Sequence, residues 1–99
     1  MTVEFMAEAE QELADAVCWY ESKQSGLGRR FKAEVESVVG CVALNPLLQR
    51  ERKGGCRRIN CPVFPYYLPY FIRGDKIIIV AVAHERQKPR YYNQRQSDL

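Results

Sequence analysis

Cationic and phenolic side chains are concentrated in three short stretches of the second half of the chain. They are Arg50, Arg52 and Lys53 in the first stretch, Arg57 and Arg58 in the second, and Arg86, Lys88, Arg90, Tyr91 and Tyr92 in the third. Arginine binds phosphate in a bidentate manner, and tyrosine donates a proton or stacks on a base. These groups are the chemical minimum for cleaving RNA without a metal, because cations stabilise the charge that develops on the phosphate. The same groups equally suit docking onto a protein with no chemistry.

Other familiar sites are not indicated. His84 is the only histidine and would have to be the base of a hydrolase triad. No local sequence motif identifies a serine or a cysteine as the nucleophile, so such a triad is not predicted. We favour a structural role for His84 at the end of a strand. The four cysteines lack a Cys-x-x-Cys spacing, so we expect free thiols, no metal and no cofactor. The acidic residues of the first helical segment are expected to face solvent, which argues against a paired-carboxylate hydrolase.

The charge is divided unevenly along the chain. Residues 1–45 carry eight acids and four bases, which is a net charge of −4. Residues 46–99 carry eleven bases and four acids, which is a net charge of +7. A basic half of this kind suggests an anionic partner. The 99 residues include no apolar run of the length that crosses a membrane, and the acidic start lacks the basic region of a signal peptide. We expect a cytoplasmic protein with no membrane and no small-molecule substrate.

The first half is predicted to form a short strand over residues 2–5 and two helices. Apolar residues recur at helical spacing from 7 to 23, and glycines at 26 and 28 supply the turn before a second apolar stripe. Asn45-Pro46 ends the second helix, because proline disfavours the helical state of the preceding residue. The short link predicts an antiparallel helical hairpin. We place Trp19 and Tyr20 in its packing.

The second half changes to strand patterns. Residues 57–72 are rich in β-branched and aromatic side chains, with a hairpin turn at residues 73–76. Residues 77–83 predict one central strand buried on both faces. Pro65 divides the preceding segment into two strands, and Pro69 is expected at an edge or a bulge. The prediction is an α+β fold of order β-α-α-β-β-β, in which a helical hairpin packs on one face of a mainly antiparallel four-stranded sheet. Residues 1–99 form a single domain, with a polar, flexible tail over residues 93–99.

Several segments together resemble the RelE/ParE superfamily of bacterial toxins from type II toxin–antitoxin modules, once described as plasmid stabilisation proteins. The resemblance covers roughly residues 3–95. It is carried by the helix that ends in WYE, by GLGRRF, by NPLLQR, by RRINCPVFPYYLPYFI, and by the pattern His-x-Arg-x-x-Pro-x-Tyr within VAVAHERQKPRYY. The superfamily has the same order of elements, and its members are neutralised by a cognate antitoxin, commonly through an acidic segment.

The superfamily divides by mechanism, and the resemblance implies a site for each branch. RelE-like members cleave mRNA on the ribosome, and their catalytic positions correspond here to Arg58, Arg86 and Tyr92. Two other cationic positions of that branch are replaced by Asn60 and Tyr67, which argues against nuclease activity.

The FPY and His-x-Arg-x-x-Pro-x-Tyr segments favour the ParE-like branch, whose members inhibit DNA gyrase as binding proteins. In that case the residues that bind the target or the antitoxin are predicted to be Arg57, Arg58, His84, Arg86, Arg90, Tyr91 and Tyr92. An inactive toxin-fold domain that only binds its partner is the third interpretation.

Overall fold

The computed structural model describes residues 1–95, apart from the side chain of Arg90. Its elements in chain order are β1 (Thr2–Phe5), α1 (Ala7–Lys23), α2 (Leu27–Leu44), β2 (Arg57–Asn60), β3 (Tyr66–Arg73), β4 (Lys76–Ile79), β5 (Ala83–His84) and α3 (Arg90–Asn93). The predicted bounds of the first strand and of α1 are confirmed, α2 ends before Asn45-Pro46, and the hairpin turn lies between Arg73 and Lys76. Within residues 1–95 no helix is long and apolar enough to cross a membrane.

The turn between α1 and α2 is held by the Glu21 carboxylate. Its two oxygens accept hydrogen bonds from the backbone N–H groups of Gly26 at 2.7 Å and Gly28 at 3.0 Å. Gly26 has a φ of 86°, a conformation that glycine adopts at no steric cost. The carboxylate therefore satisfies N–H groups that the start of α2 leaves without a helical partner.

The same contacts predict an acidic pKa for Glu21. Hydrogen bonds from the Gly26 N–H, and then from the Gly28 N–H, lower the pKa of this carboxyl. Because folding lowers the pKa of Glu21, the interaction stabilises the folded protein fully at pH values above the pKa of Glu21 in the unfolded chain. This contribution to stability is lost as the pH falls through the lower pKa of Glu21 in the folded protein. We expect carbonyl NMR titration to give Glu21 a pKa below the roughly 4.3 of an unperturbed glutamate. An equal pKa in the native and urea-unfolded chain would contradict this account.

The helical hairpin packs on one face of the sheet. The core between them contains Phe31, Val35, Val38 and Val42 from α2, Ala9 and Ala16 from α1, and Leu68, Tyr70, Ile77 and Ile79 from the sheet. Tyr20, Phe31, Phe64 and Tyr66 form an aromatic cluster at one end, with ring centroids 4.8–6.2 Å apart. Tyr20 therefore packs as predicted. Trp19 does not pack in the core, because the residue is 56% exposed, and its ring meets the Tyr20 ring edge-on and the Lys23 ammonium.

The sheet has five strands rather than the four predicted. Its order is β1-β4-β3-β2, and β5 pairs with the beginning of β3. The pairs β2–β3, β3–β4 and β3–β5 are antiparallel, and β1 pairs with β4 in parallel. The α+β class and the helical hairpin on one face are confirmed, and the sheet is mixed.

The predicted central strand over residues 77–83 is interrupted opposite Pro69. Tyr70 faces Ile79 and Tyr67 faces Ala83, so two residues of β3 lie opposite the three residues 80–82. This is a β-bulge. Proline has no N–H to give to the ladder, and the Val80 N–H instead donates to the Pro69 carbonyl at 2.9 Å. Of the two places predicted for Pro69, an edge or a bulge, the structure has the bulge, and it divides the apolar run into β4 and β5.

The C-terminal part of the described chain is attached to α1. Both terminal nitrogens of the Arg95 guanidinium donate to the Glu12 carboxylate at 3.0 Å, and one of them also donates to the Val80 carbonyl. Glu12 also accepts the Val82 N–H at 3.1 Å. Glu12 is therefore a partly buried structural residue, contrary to the prediction that the acids of α1 face solvent. The predicted tail starts at residue 93, but Arg95 is held by these bonds, and residues 96–99 lie outside the described part.

Candidate functional site

A cleft of about 680 Å³ lies between the loop before β2, β2 itself and the start of α3. It is lined by Arg50, Arg52, Lys53, Gly54, Cys56, Arg58, Pro89, Tyr92 and Asn93, which we call the basic cleft. Its floor is the sheet face that the helical hairpin leaves uncovered, where Tyr67, Phe71 and Tyr92 form a second, smaller core. Four of the nine lining residues are cations, and none is a histidine or a carboxylate.

Arg58 projects into the basic cleft because residues along a strand alternate between the two faces of the sheet. Its guanidinium carbon lies 4.5 Å from the centroid of the Tyr67 ring, a cation–π contact that limits the movement of the side chain. The Tyr67 hydroxyl in turn donates to the Gln87 carbonyl at 3.0 Å. The Arg58 Nε is buried and has no hydrogen-bond partner among residues 1–95. The Arg58 cation is therefore positioned by Tyr67, and its Nε is a hydrogen-bond donor without a partner in the described part of the chain.

Tyr92 lines the basic cleft but is only 4% exposed. Burial and a hydrogen bond with Tyr67 raise the pKa of Tyr92 well above its ordinary value. Burial also raises the pKa of Cys56, the lining thiol. A general acid or base works best with a pKa near the operating pH. The tyrosine and the thiol of this cleft are therefore poorly suited to proton transfer at neutral pH.

Arg57 lies on the opposite face from Arg58 and has a structural contact. Its guanidinium donates to the Gln49 carbonyl at 2.6 Å, which ties the loop before β2 to the sheet. The Arg52 N–H donates to the Cys56 carbonyl at 2.6 Å and closes the same loop. Arg57 therefore positions the cationic loop, and it does not line the cleft.

His84 and Arg86 lie outside the basic cleft. The His84 Nδ1 accepts the backbone N–H of Arg86 at 3.1 Å, and the ring meets the Tyr66 ring with centroids 5.2 Å apart. Tyr66 packs against the core on the hairpin side, so His84 has the contacts of a side chain that terminates a strand. The Arg86 side chain is exposed. Of the three nuclease positions, Arg58 and Tyr92 share the cleft, and Arg86 does not.

The last two predicted site residues lie in α3. Tyr91 is half-buried, its ring meets the Tyr92 ring at 5.2 Å, and the Arg95 guanidinium lies 5.2 Å from its centroid. Burial and the nearby Glu12 carboxylate raise the pKa of Tyr91. Arg90 begins α3, and its side chain is outside the described part of the chain.

Some residues of this region were not assigned to the site from sequence. Pro89 and Asn93 enter the cleft wall through the turn that precedes α3 and through α3 itself, which strand and helix periodicity does not signal. Cys56 would have been found from alternation, since it is two residues from Arg58 and shares its face. Arg50, Arg52 and Lys53 were predicted to belong to the cationic cluster, and all three line the cleft. Within residues 1–95 no group of three metal-ligating side chains comes together.

The fold of this chain is shared with solved structures of other proteins. The chain is similar to the solved structure of the isolated RelE toxin of E. coli, with a TM-score of 0.65, 14% identity, and coverage of 99% of this chain and 98% of that one. It is equally similar to a chain of the chromosomal ParDE toxin–antitoxin system of P. aeruginosa, with a TM-score of 0.65, 18% identity, and coverage of 85% and 95%. At these identities the likeness shows the fold.

The family is shown by the sequence itself. Residues 3–89 match the family of ParE toxins of the parDE type II toxin–antitoxin system, so this chain belongs to that family. No curated protein matches it. The predicted membership of the RelE/ParE superfamily, with ParE-like character, is therefore confirmed.

Proposed function

We propose that this chain is the toxin of a type II toxin–antitoxin module, that it binds and inhibits DNA gyrase in the cytoplasm, and that a cognate antitoxin neutralises it. Membership of the ParE toxin family supports the toxin role. The observation that carries the choice of mechanism is the composition of the basic cleft. It offers cations from several segments, and its tyrosine and thiol have pKa values raised by burial. Such a site favours binding without turnover.

The antitoxin is the partner that charge complementarity favours. The +7 charge of residues 46–99 suits an acidic protein segment. Extended segments of this kind bind by adding a strand to a sheet edge or by laying a helix in a groove. Neutralisation then follows when the bound segment covers the surface that meets gyrase.

A ribosome-dependent endoribonuclease is the second candidate, because Arg58 and Tyr92 line the same cleft. It is less favoured because Arg86 lies elsewhere and because Asn60 and Tyr67 replace two cations of that branch. Each lost donor to a reacting phosphate is expected to cost about 3 kcal/mol of transition-state stabilisation.

A supercoiling assay tests the proposal. The chain, freed from its antitoxin and shown by circular dichroism to be folded, is added in a concentration series to gyrase and relaxed plasmid. We expect loss of supercoiled product and accumulation of cleaved plasmid, with both effects relieved when the antitoxin is added. Unchanged supercoiling at a large molar excess of folded chain would reject gyrase as the target. Cleavage of ribosome-bound mRNA that is lost in Tyr92→Phe would then establish the second candidate.

A further inference from the structure

The basic cleft has the features of a site for the backbone of a nucleic acid. We propose that it binds the phosphodiester backbone of duplex DNA, so that the toxin contacts the DNA that gyrase holds as well as the enzyme. Contact with the DNA that gyrase holds rests on the proposed function. Binding of duplex DNA by the isolated chain does not depend on it. Phosphate contacts from lysine and arginine supply most of the sequence-independent affinity of proteins for DNA.

The cations of the cleft are placed by two separate segments. Arg50, Arg52 and Lys53 come from the loop before β2, and Arg58 comes from the strand. The loop is held at both ends, by the bond from Arg57 to the Gln49 carbonyl and by the bond from the Gly55 N–H to the Arg52 carbonyl at 3.1 Å. Fixing the loop reduces the entropy lost when its side chains bind a ligand.

Within residues 1–95 the cations of the cleft make no ion pair. Among residues 1–95 the ion pairs are Lys76 with Glu4 and Arg95 with Glu12, and neither involves a residue of the cleft. Glu51 belongs to the same loop but is exposed and does not line the cleft. The Arg58 Nε adds a buried donor without a partner in the described chain. A phosphate oxygen would satisfy that donor and meet the surrounding positive charge.

The lining favours phosphate over a protein partner. Protein interfaces draw most of their binding energy from tryptophan, tyrosine and arginine side chains that fill buried pockets. Among the nine lining residues the one aromatic side chain, Tyr92, is already buried within the protein, so the cleft offers arginines but no accessible aromatic anchor. The exposed leucines do not line the cleft: Leu44 is the last residue of α2, and Leu47 and Leu48 follow it. The surface suited to a protein and the surface suited to phosphate are therefore separate.

Fluorescence anisotropy of a labelled 20-base-pair duplex, titrated with the isolated chain, tests the proposal. Four phosphate contacts predict a slope of about −3.6 in a plot of log affinity against log salt, or about 150-fold weaker binding at 200 mM than at 50 mM salt. The triple variant Arg50→Gln, Arg52→Gln, Lys53→Gln is expected to retain a slope of about −0.9, or about a 3.5-fold loss over the same range. Circular dichroism confirms that each variant is folded.

The matched control removes three cations from the helical hairpin. Arg29, Arg30 and Lys32 are exposed on α2 and do not line the cleft, so Arg29→Gln, Arg30→Gln, Lys32→Gln is expected to keep the slope of the unaltered chain. An equal loss in both triple variants would overturn the proposal, because binding would then follow net charge alone. Binding of single-stranded RNA but not of duplex DNA would also overturn it.

The outcome is separable from that of the gyrase proposal. Full gyrase inhibition by the cleft triple variant would overturn the role of DNA contact and leave gyrase as the target. Duplex binding through the cleft by a chain that does not inhibit gyrase would support the DNA site and remove the proposed target.

Discussion

Replacing Gly28 by alanine is expected to lower the free energy of unfolding by about 3 kcal/mol, toward the upper end of the cost of overpacking. A Cβ atom built at Gly28 lies 2.3 Å from the Val17 carbonyl oxygen and 3.0 Å from the Glu21 Cβ. The oxygen belongs to the backbone of α1 and cannot rotate away, so α1 and α2 must separate. Separation also strains the bond between the Gly28 N–H and Glu21. Urea denaturation followed by circular dichroism measures the loss.

Gly40 provides the matched control for this change. It lies in the same helix, and a Cβ atom added there meets nothing within 4 Å. Gly40→Ala is therefore expected to stabilise the protein by about 0.5–1 kcal/mol, because glycine lowers helix stability relative to alanine. Equal stabilities for Gly28→Ala and the unaltered chain would show that the helices do not approach as closely as described.

Replacing Glu12 by alanine is expected to lower the free energy of unfolding by about 2 kcal/mol, the typical cost of leaving partly buried polar groups without partners. The change leaves the Val82 N–H and the Arg95 guanidinium without the carboxylate. The two side chains of the pair are only 24% and 16% exposed, so water replaces the lost bonds incompletely. We expect faster amide hydrogen exchange at Val82 and in α3, measured by NMR.

Glu10→Ala is the control for this second change. Glu10 is an exposed acid two residues away on the same helix, and its replacement is expected to alter stability by less than about 0.5 kcal/mol. Equal exchange rates at Val82 in both variants would contradict the role of Glu12. Arg95→Lys distinguishes charge from geometry, because lysine keeps the charge and loses the two parallel bonds.

The sequence predicted those helices and turns that are determined by neighbouring residues. The ends of α1 and α2 follow from apolar spacing, from the glycines after α1 and from Asn45-Pro46. Pro69 predicted an edge or a bulge, because a missing N–H is a property of one residue. The division of residues 77–83 could not be predicted in detail, because it depends on which residues of β3 lie opposite, and strand register is set by tertiary pairing.

The part of the site that follows from strand alternation and from the clustering of charge could be predicted from the sequence. Arg58 and the cations before β2 share the cleft as their clustering indicated. Arg57 is of the same residue type as Arg58 but has different surroundings, and only the tertiary structure separates a cation that lines a cleft from one that holds a loop. Glu12 was misjudged because its partner Arg95 is 83 residues later in the chain.

The parallel pairing of β1 with β4 has a consequence for the moment at which the toxin becomes competent. Val3 pairs with Ile77, so the first strand has no partner until the chain has been synthesised beyond β4. At ribosomal rates of roughly 5–20 residues per second, that interval is about 4–15 s. Closing so long a loop is also entropically costly, which slows the final step of folding. The sheet is therefore incomplete until β4 has been synthesised, and under the proposed function inhibition of the target begins only after that point.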